Sequence, residues 1–491
     1  MSANERYEVV VVGSGAGGGV IAGELAERGR RVLLLEAGPH RTAADFTRWE
    51  AHASADIWWP MRFAVPARDP SQPALPIIGG RCVGGTTTIN TKVALRATQH
   101  EFDKWHTGTG MVNDAGEPFG PNDLAPHYER VEQQLGIRER ADWTENLRMI
   151  ARAFEAVGEE LEPVMSYTDE NCMKCGSCLQ GCPTNAGKST QNTYIHRQWA
   201  IGRLELRANC FVDRVLIEDG PDGPQATGVA YTDGEGRAHT VAADAVVVAG
   251  GALNTPQVLW RSGLTNPMIG RHLGFHPASF VFGLFDEPQD AHRVYPISGH
   301  CMSHQRDEDG GFILEALSVQ DPIGFATGLC DENGPVWGEK LNRACRQYRH
   351  WIGLLLMVND DNNGWIELDE DGNERILTDF QPHELKRREA GAELAARVLR
   401  AAGAKEILWS GPSCTHIQGG CPMGPDPARS VVDIHGESHE VARLFVGDGS
   451  LVPRTLSVNP SLTIMALATR VADRIHADPK GYLQGQAALA A

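Results

Sequence analysis

One segment near the start, residues 7–38, constrains the fold most: YEVVVVGSGAGGGVIAGELAERGRRVLLLEAG. A run of apolar β-forming residues predicts a buried parallel strand, and a second run near the end of the segment predicts another. A helical apolar pattern lies between them and ends before the second run, which closes on Glu36. The first strand is followed by three spaced glycines, Gly13, Gly15 and Gly18. Together these features predict an α/β unit that binds a dinucleotide.

The glycines and the acid of this unit have defined roles in binding a dinucleotide. Glycine allows a tight turn and a close approach of the backbone to a pyrophosphate, which would lie at the positive end of the helix. The carboxylate of Glu36, with Ala37 beside it, would bind the adenosine ribose hydroxyls and would disfavour a 2′-phosphate. The unit alone leaves both NAD and FAD open.

Composition narrows the class of protein further. The chain has 491 residues, enough for two domains or one large composite, and its 42% of hydrophobic residues is ordinary for a globular protein. No apolar run reaches about 18 residues, so we expect no membrane span. The start of the chain lacks the features of an export signal, which makes the cytoplasm the expected location. The net charge of −18 argues against nucleic acid and anionic membranes as partners and is compatible with a cationic substrate.

A second glycine-rich stretch, GGRCVGGTTTIN at residues 79–90, indicates which of the two cofactors is bound. It resembles the first signature of the glucose–methanol–choline (GMC) oxidoreductases, a family that binds FAD. In that family the glycine pair and the hydroxyl residue after it lie against the flavin diphosphate and ring, and the asparagine contacts the flavin. The resemblance implies FAD, bound in part by five residues of this stretch: Arg81, Gly84, Gly85, Thr86 and Asn90.

Three further stretches extend the resemblance over nearly the whole chain. GGALNTPQVLWRSGL, at 250–264, resembles the second signature of the family. The stretch NCFVDRVLI predicts a strand, and the resemblance implies a backbone contact from Val212 to the adenine. The closing stretch, 444–475, would bring Gly447 and Asp448 close to the flavin.

The order of these stretches implies an α/β protein with a discontinuous, Rossmann-like FAD-binding domain. Residues 1–280 would form most of it, with a cysteine-rich insertion at about 165–195, and residues 411–480 would return to it with the catalytic residues. Residues 281–410 alternate apolar and polar side chains, which predicts strands. In the family this second domain is an antiparallel sheet that covers the flavin and binds substrate. An Asp-Gly pair at 371–372 predicts a turn within it.

Alcohol oxidation by a flavin needs a base for the hydroxyl proton while hydride passes to flavin N5. His416, in CTHIQGGCPMG, stands where the GMC family has its catalytic histidine. Asn459, in LSVNPSL, stands at the partner position, where members carry a second histidine or an asparagine. The resemblance implies that His416 is the base. It implies that Asn459, which cannot be a base, binds the substrate oxygen and also contacts the cofactor.

Four cysteines in the stretch CMKCGSCLQGCP raise the question of a second cofactor: Cys172, Cys175, Cys178 and Cys182. Their spacing, with a proline after the last, is that of a bacterial ferredoxin run, and some GMC dehydrogenases that act on sugars carry an iron–sulfur cluster at this point. We therefore expect a 4Fe–4S or 3Fe–4S cluster. Zinc and metal-free structural cysteines stay open as alternatives, because other members have cysteines here with no established cluster. Disulfides are not expected in a reducing compartment.

The substrate is less constrained than the reaction. Trp58 and Trp59 stand where the family has a loop near the flavin entrance, so their rings could stack on a sugar or could simply fill the core. With the acidic net charge, they favour a sugar or amino sugar, as in oxidation of aminoglycoside intermediates. Sterols and long-chain alcohols are the rival substrates. A flavin and iron–sulfur electron carrier without alcohol chemistry, and a silent FAD-binding scaffold, are the rival classes. Oxygen or another molecule could be the electron acceptor.

Overall fold

A mixed seven-stranded sheet forms the centre of the computed structural model, which describes residues 5–316, 322–370 and 373–483. The strand Arg6–Val12 lies between Val32–Leu35 and Ala238–Val248 and runs parallel to both. Six strands follow one another in the order Leu204–Arg207, Val32–Leu35, Arg6–Val12, Ala238–Val248, Gly223–Thr232 and Phe211–Gly220. The seventh, Leu444–Val446, pairs in parallel with Ala238–Val248. The sheet therefore joins segments from both ends and the middle of the chain.

Two helices cover the same region of this sheet. Gly18–Glu27 follows the first strand directly, and Ser461–Ala477 packs against it. The valines and leucines of the two short parallel strands are almost fully buried, as expected for strands covered on both faces. The predicted strand–glycine–helix–strand unit is confirmed, with its glycine turn at the carboxyl end of the first strand.

An eight-stranded antiparallel sheet forms the second large layer. Its strands, in spatial order, are Gly334–Pro335, Leu329–Asp331, Glu406–Ser410, Ala278–Leu284, Trp351–Val358, Phe312–Ala316, Gly299–Cys301 and Glu162–Pro163. All the pairings in this sheet are antiparallel. The predicted fold class, a Rossmann-like α/β domain with an antiparallel second domain, is confirmed.

A smaller sheet joins regions that the sequence analysis assigned to different domains. Its strands, in spatial order, are Trp365–Leu368, Glu374–Thr378, Arg62–Pro66 and Leu75–Ile77. Glu374–Thr378 pairs in parallel with Arg62–Pro66, so the N-terminal and middle regions share this sheet. The domain bounds 1–280, 281–410 and 411–480 stay predictions. The predicted turn at 371–372 lies outside the described residues.

Helices pack on the outer faces and at the edges of the sheets. Besides the two central ones, the α-helices are Glu50–Asp56, Gln99–Thr109, Pro121–Leu135, Glu145–Ala156, His196–Ala200, Asn254–Arg261, Pro322–Gly328, Gly338–Arg346 and Pro382–Ala401. A two-stranded ribbon pairs Arg138–Glu139 with Met165–Ser166. None of the helices in the described part of the chain has the length and apolar character needed to cross a membrane. The expected cytoplasmic location stays a prediction.

Candidate active site

A cavity of about 420 Å³ lies between the central sheet, the antiparallel sheet and the C-terminal segment. Most of the residues expected to bind FAD or to act in catalysis line it: Gly13, Gly15, Glu36, Ala37, Gly85, Thr86, Asn90, Val212, His416, Asp448 and Asn459. Four others do not line it: the buried glycines Gly18, Gly84 and Gly447, and the exposed Arg81. The structure thus brings segments far apart in sequence to one site.

Two glycine loops form the wall at the end of the central sheet. Gly13 has a left-handed φ of +93°, and a Cβ there would lie 2.3 Å from the carbonyl oxygen of Ala249. At Gly15 no described atom lies within 4 Å of where a Cβ would stand, so the space in front of this backbone is open. A Cβ on Gly85 would come 2.8 Å from the Cα of Gly15. The two loops meet and leave a bare backbone wall, which suits a diphosphate.

Glu36 lies buried at the end of the second parallel strand, where the sequence predicted a ribose-binding acid. One carboxylate oxygen accepts hydrogen bonds from the backbone N–H of Ser14 at 3.0 Å and from its hydroxyl at 2.6 Å. The other accepts from the N–H of Gly38 at 2.8 Å. Burial raises the pKa of Glu36, and the bonds from Ser14 and Gly38 oppose the shift. These hydrogen bonds fix the orientation of the Glu36 carboxylate, which still lines the cavity.

Two asparagines that line the cavity carry buried side-chain oxygens without a protein partner. They are Oδ1 of Asn90 and Oδ1 of Asn459, and neither has a hydrogen-bond donor among the described residues. A buried carbonyl oxygen without a donor is costly, so each of these atoms calls for a partner. Together with the open backbone at Gly15 and the buried acid at Glu36, the unpaired oxygen of Asn90 fits FAD.

Asp448 joins the middle of the chain to its C-terminal part beside the cavity. One of its carboxylate oxygens accepts from the backbone N–H of Gly251 and from the hydroxyl of Thr255, both at 2.6 Å. The other accepts from the N–H of Ser450 at 2.7 Å. A Cβ on the preceding Gly447 would lie 2.2 Å from a methyl of Ile21, so that glycine permits close packing of the first helix.

A pair of histidines stands at another side of the cavity: His416, which is half-buried and lines it, and His276, which is fully buried behind His416. The Nδ1 atoms of His416 and His276 are 3.2 Å apart, and their ring centres are 5.3 Å apart. One ring must donate and the other accept in such a contact. If His416 donates from Nδ1, its Nε2 carries a free lone pair and can accept a proton. Burial lowers the pKa of His416 to about 4, so the ring is neutral near pH 7.

His276 was missed by the sequence analysis, and its backbone shows how it is positioned. It has a left-handed φ of 46°, which is uncommon for a residue other than glycine. The buried carboxylate of Asp360 accepts hydrogen bonds from the backbone N–H groups of Phe275 and His276. Burial, followed by the nearby His416, lowers the pKa of His276 well below its usual value. Two neutral imidazoles are therefore held in contact.

Comparison with known proteins places this geometry in a family. The family model of the N-terminal part of GMC oxidoreductases matches residues 7–278, and that of the C-terminal part matches residues 361–468. The chain belongs to the GMC oxidoreductase family. It is thus an oxidoreductase of the alcohol-oxidising type, and the family supports FAD as its cofactor.

Relatives of this GMC oxidoreductase differ in their substrates. The chain is 26% identical to the long-chain-alcohol oxidase FAO4B of Arabidopsis thaliana over 96% of its own length and 67% of the relative. It is 27% identical to the 6‴-hydroxyparomomycin C oxidase of Streptomyces lividus, over 96% and 92% of the two chains. The crystal structure of pyridoxine 4-oxidase from Mesorbium loti has the same fold, with a TM-score of 0.74, 18% identity, and 96% and 99% coverage.

The cysteine segment of this GMC oxidoreductase differs from the expectation of a cluster. Cys172, Cys175, Cys178 and Cys182 line one small cavity of about 20 Å³, and all four are free. Within the described ranges, however, no three His, Cys, Asp or Glu side chains are arranged to hold a metal ion. The expected iron–sulfur ligation is not confirmed.

The surroundings of the thiols shift their pKa values in different directions. Burial raises the pKa of Cys178 to about 12 and also raises that of Cys172, which favours thiols over the thiolates that bind iron. Burial acts the same way on Cys182, but hydrogen bonds from Thr184 and from the N–H of Gly187 outweigh it and lower the pKa. Of these three thiols, only Cys182 has surroundings that favour the thiolate.

The tryptophans predicted near the entrance do line the large cavity, and both are partly buried. Trp58 donates from its ring nitrogen to the carbonyl oxygen of Leu179, in the cysteine segment, at 3.1 Å. The guanidinium groups of Arg62 and Arg81 lie 5.1 and 5.4 Å from the ring centre of Trp59. Cation–π contacts of this kind hold a ring in place, so Trp59 presents a fixed aromatic surface.

Proposed function

We propose that this protein oxidises a primary or secondary alcohol with FAD, and that His416 removes the hydroxyl proton. The observation that carries this proposal is the common cavity. His416 and Asn459 line it together with Gly15, Glu36 and Thr86, which would hold the cofactor. A general base must lie within reach of the proton it takes, and this arrangement allows it. FAD, when bound, supplies the hydride acceptor at flavin N5.

The residues of this chain would divide the work as follows. The loops at Gly15 and Gly85 would hold the diphosphate with backbone groups, Glu36 the ribose, and the backbone of Val212 the adenine. Gly13, Ala37, Thr86, Asn90 and Asp448 would complete the lining. Gly18, Gly84 and Gly447 would allow close packing next to the lining, and Arg81 would support the lining through its contact with Trp59. His416 would accept the substrate proton at Nε2 while its Nδ1 stays bonded to His276. Asn459 would donate a hydrogen bond to the substrate oxygen.

We propose a sugar or amino sugar as the substrate. The relative from Streptomyces lividus, a 6‴-hydroxyparomomycin C oxidase, supports this class, as does the net charge of −18. Trp58 and Trp59 line the same cavity, where an aromatic ring could stack on a sugar. An ammonium group would be attracted by the acidic protein, so rising salt should raise KM through screening. Trp58→Ala or Trp59→Ala should also raise KM.

Long-chain alcohols or sterols are the second candidate, and the cavity itself favours them. Its lining near the histidines is mostly apolar, with Phe280, Val294, Leu355, Ile417 and Ile464. Such a surface suits a hydrocarbon chain better than a charged sugar. The long-chain-alcohol oxidase of Arabidopsis thaliana is a relative of comparable identity.

An anaerobic panel of sugars, amino sugars, long-chain alcohols and sterols tests both candidates. Bleaching of the bound flavin by an amino sugar, with slower bleaching at high salt, is the expected result. Bleaching by fatty alcohols or sterols alone would select the second candidate. If no alcohol bleaches the flavin, but the flavin exchanges electrons with outside carriers, the protein would instead be an electron-transfer protein.

We also propose an iron–sulfur cluster in the cysteine segment. The ferredoxin-like spacing and the cavity shared by the four thiols support it, whereas their present arrangement argues against it. Protein purified without oxygen should contain about three or four irons per chain, and Cys175→Ser should lower that number. Iron-free protein with full activity would leave the cysteines a structural role.

A further inference from the structure

A buried carboxyl group outside the predicted set lies next to the site. Glu315 belongs to the strand Phe312–Ala316, in which every side chain is buried, and Glu315 itself is 0% exposed. Neither of its carboxyl oxygens has a well-formed hydrogen bond within the described part of the chain. A buried acid with no full partner costs folding free energy, so its presence needs an explanation.

The register of the antiparallel sheet shows which way Glu315 faces. It pairs directly with Leu355 on the neighbouring strand, and Leu355 pairs with Phe280 on the next. Directly paired residues of an antiparallel sheet project from the same face. Leu355 and Phe280 line the large cavity, so Glu315 projects toward the cavity side. On its other flank it pairs with His300, whose Nε2 lies 3.4 Å from Glu162.

The polar group that Glu315 meets on that side is the amide of Asn459. Asn459 is close enough to favour the charged carboxyl, although burial has the larger and opposite effect and raises the pKa of Glu315 to about 8. The amide oxygen of Asn459 has no donor among the described residues, and the side chain is only 5% exposed. The two groups therefore face each other with their hydrogen bonding incomplete.

We propose that Glu315 is a positioning residue that fixes the orientation of the Asn459 amide. A neutral carboxyl donates its O–H to the amide oxygen and turns the amide NH₂ into the cavity. There the NH₂ can donate to the substrate oxygen as its proton leaves for His416. An ionised carboxyl would instead accept from the NH₂ and turn the amide oxygen into the cavity, where it would repel the developing negative charge. This proposal rests on the alcohol oxidation proposed above.

The test is a double-mutant cycle on the FAD-loaded protein, with an alcohol that bleaches the wild-type flavin. Glu315→Leu should lower kcat about tenfold with KM within about twofold, less than the roughly 10²-fold loss expected when Asn459→Ala removes the donor itself. In the Asn459→Ala background, Glu315→Leu should lower kcat no further. Glu315→Gln should restore most of the turnover, because its NH₂ can donate to the same amide oxygen.

Two further measurements separate this role from simple packing. Leu314→Ala, one residue away and on the opposite face of the strand, should lower thermal stability while kcat per bound flavin stays at the wild-type value. The same cycle of variants, followed by thermal unfolding, should show coupling between positions 315 and 459 even if no alcohol is oxidised. If no alcohol is oxidised, only the proposed function would be refuted, and the positioning role would still be tested by the unfolding measurements. Independent effects of the two substitutions on unfolding, or an unchanged kcat in fully loaded Glu315→Leu, would overturn the positioning role.

Discussion

The two walls of the large cavity are built in contrasting ways. The wall at the end of the central sheet presents backbone, at Gly13, Gly15 and Gly85, and the buried acid Glu36 there is held by hydrogen bonds from Ser14 and Gly38. The opposite wall carries His416 and Asn459, and buried polar groups stand behind it with incomplete hydrogen bonding. The first wall depends on the absence of side chains, and the second on the exclusion of water. Their variants should therefore fail in different ways.

The largest effect is expected on the glycine wall. Gly15→Val should abolish FAD binding and activity while leaving the apoprotein folded, because the new side chain would extend into open cavity rather than into protein. Gly411 is the matched control, since a Cβ there also meets no described atom within 4 Å but lies outside the cavity. Flavin content and circular dichroism report the two properties separately. If Gly15→Val bound FAD normally, the proposed difference between the two walls of the cavity would be wrong.

On the opposite wall, loss of the base should leave the cofactor in place. His416→Ala should lower turnover by at least about 10²-fold, the contribution typical of a general base. Flavin content should equal that of the wild type. His383→Ala, an exposed histidine paired with Asp361, serves as control and should keep full turnover. Near-normal turnover of His416→Ala would end its assignment as the base.

A smaller effect is expected for the residue behind the base. His276→Asn keeps a side chain that tolerates a left-handed backbone but cannot reach His416, so kcat should fall about tenfold, less than for loss of the base itself. His272 also has a left-handed φ, of 58°, and does not line the cavity, so His272→Asn controls for backbone effects. Equal losses in both variants would contradict a role in orienting the His416 ring.

The smallest effect is a displacement of the pH profile. Since burial lowers the pKa of His416 from 6.5 to about 4, the acidic limb of kcat/KM should lie near pH 4. The same shift has a consequence for stability. Between pH 6.5 and about 4 the unfolded chain binds a proton that the folded protein does not, so this histidine lowers stability as the pH falls. An acidic limb of kcat/KM near pH 6.5 would indicate instead that the imidazole of His416 is solvated.

The glycine wall could be predicted from sequence, because each of its parts is a local motif. Gly13, Glu36 and Gly85 stand in short stretches whose spacing determines their conformation. His276 and Glu315 could not be found in this way, since they reach the site through pairing of distant strands and carry no motif. Glu315 did leave one signal, an acid within the otherwise apolar run FILEA. The cysteine spacing was a clear motif, but spacing does not determine whether thiols that share one cavity are also arranged to hold a metal ion.

The central sheet also constrains the order of events during synthesis. The strand Arg6–Val12 pairs with Ala238–Val248, which in turn pairs with Leu444–Val446. Asp448 then secures the loop at Gly251. During synthesis the turn at Gly13 is therefore made long before Asp448. The wall behind the cofactor is completed only after residues 444–448 have been translated and have joined the sheet.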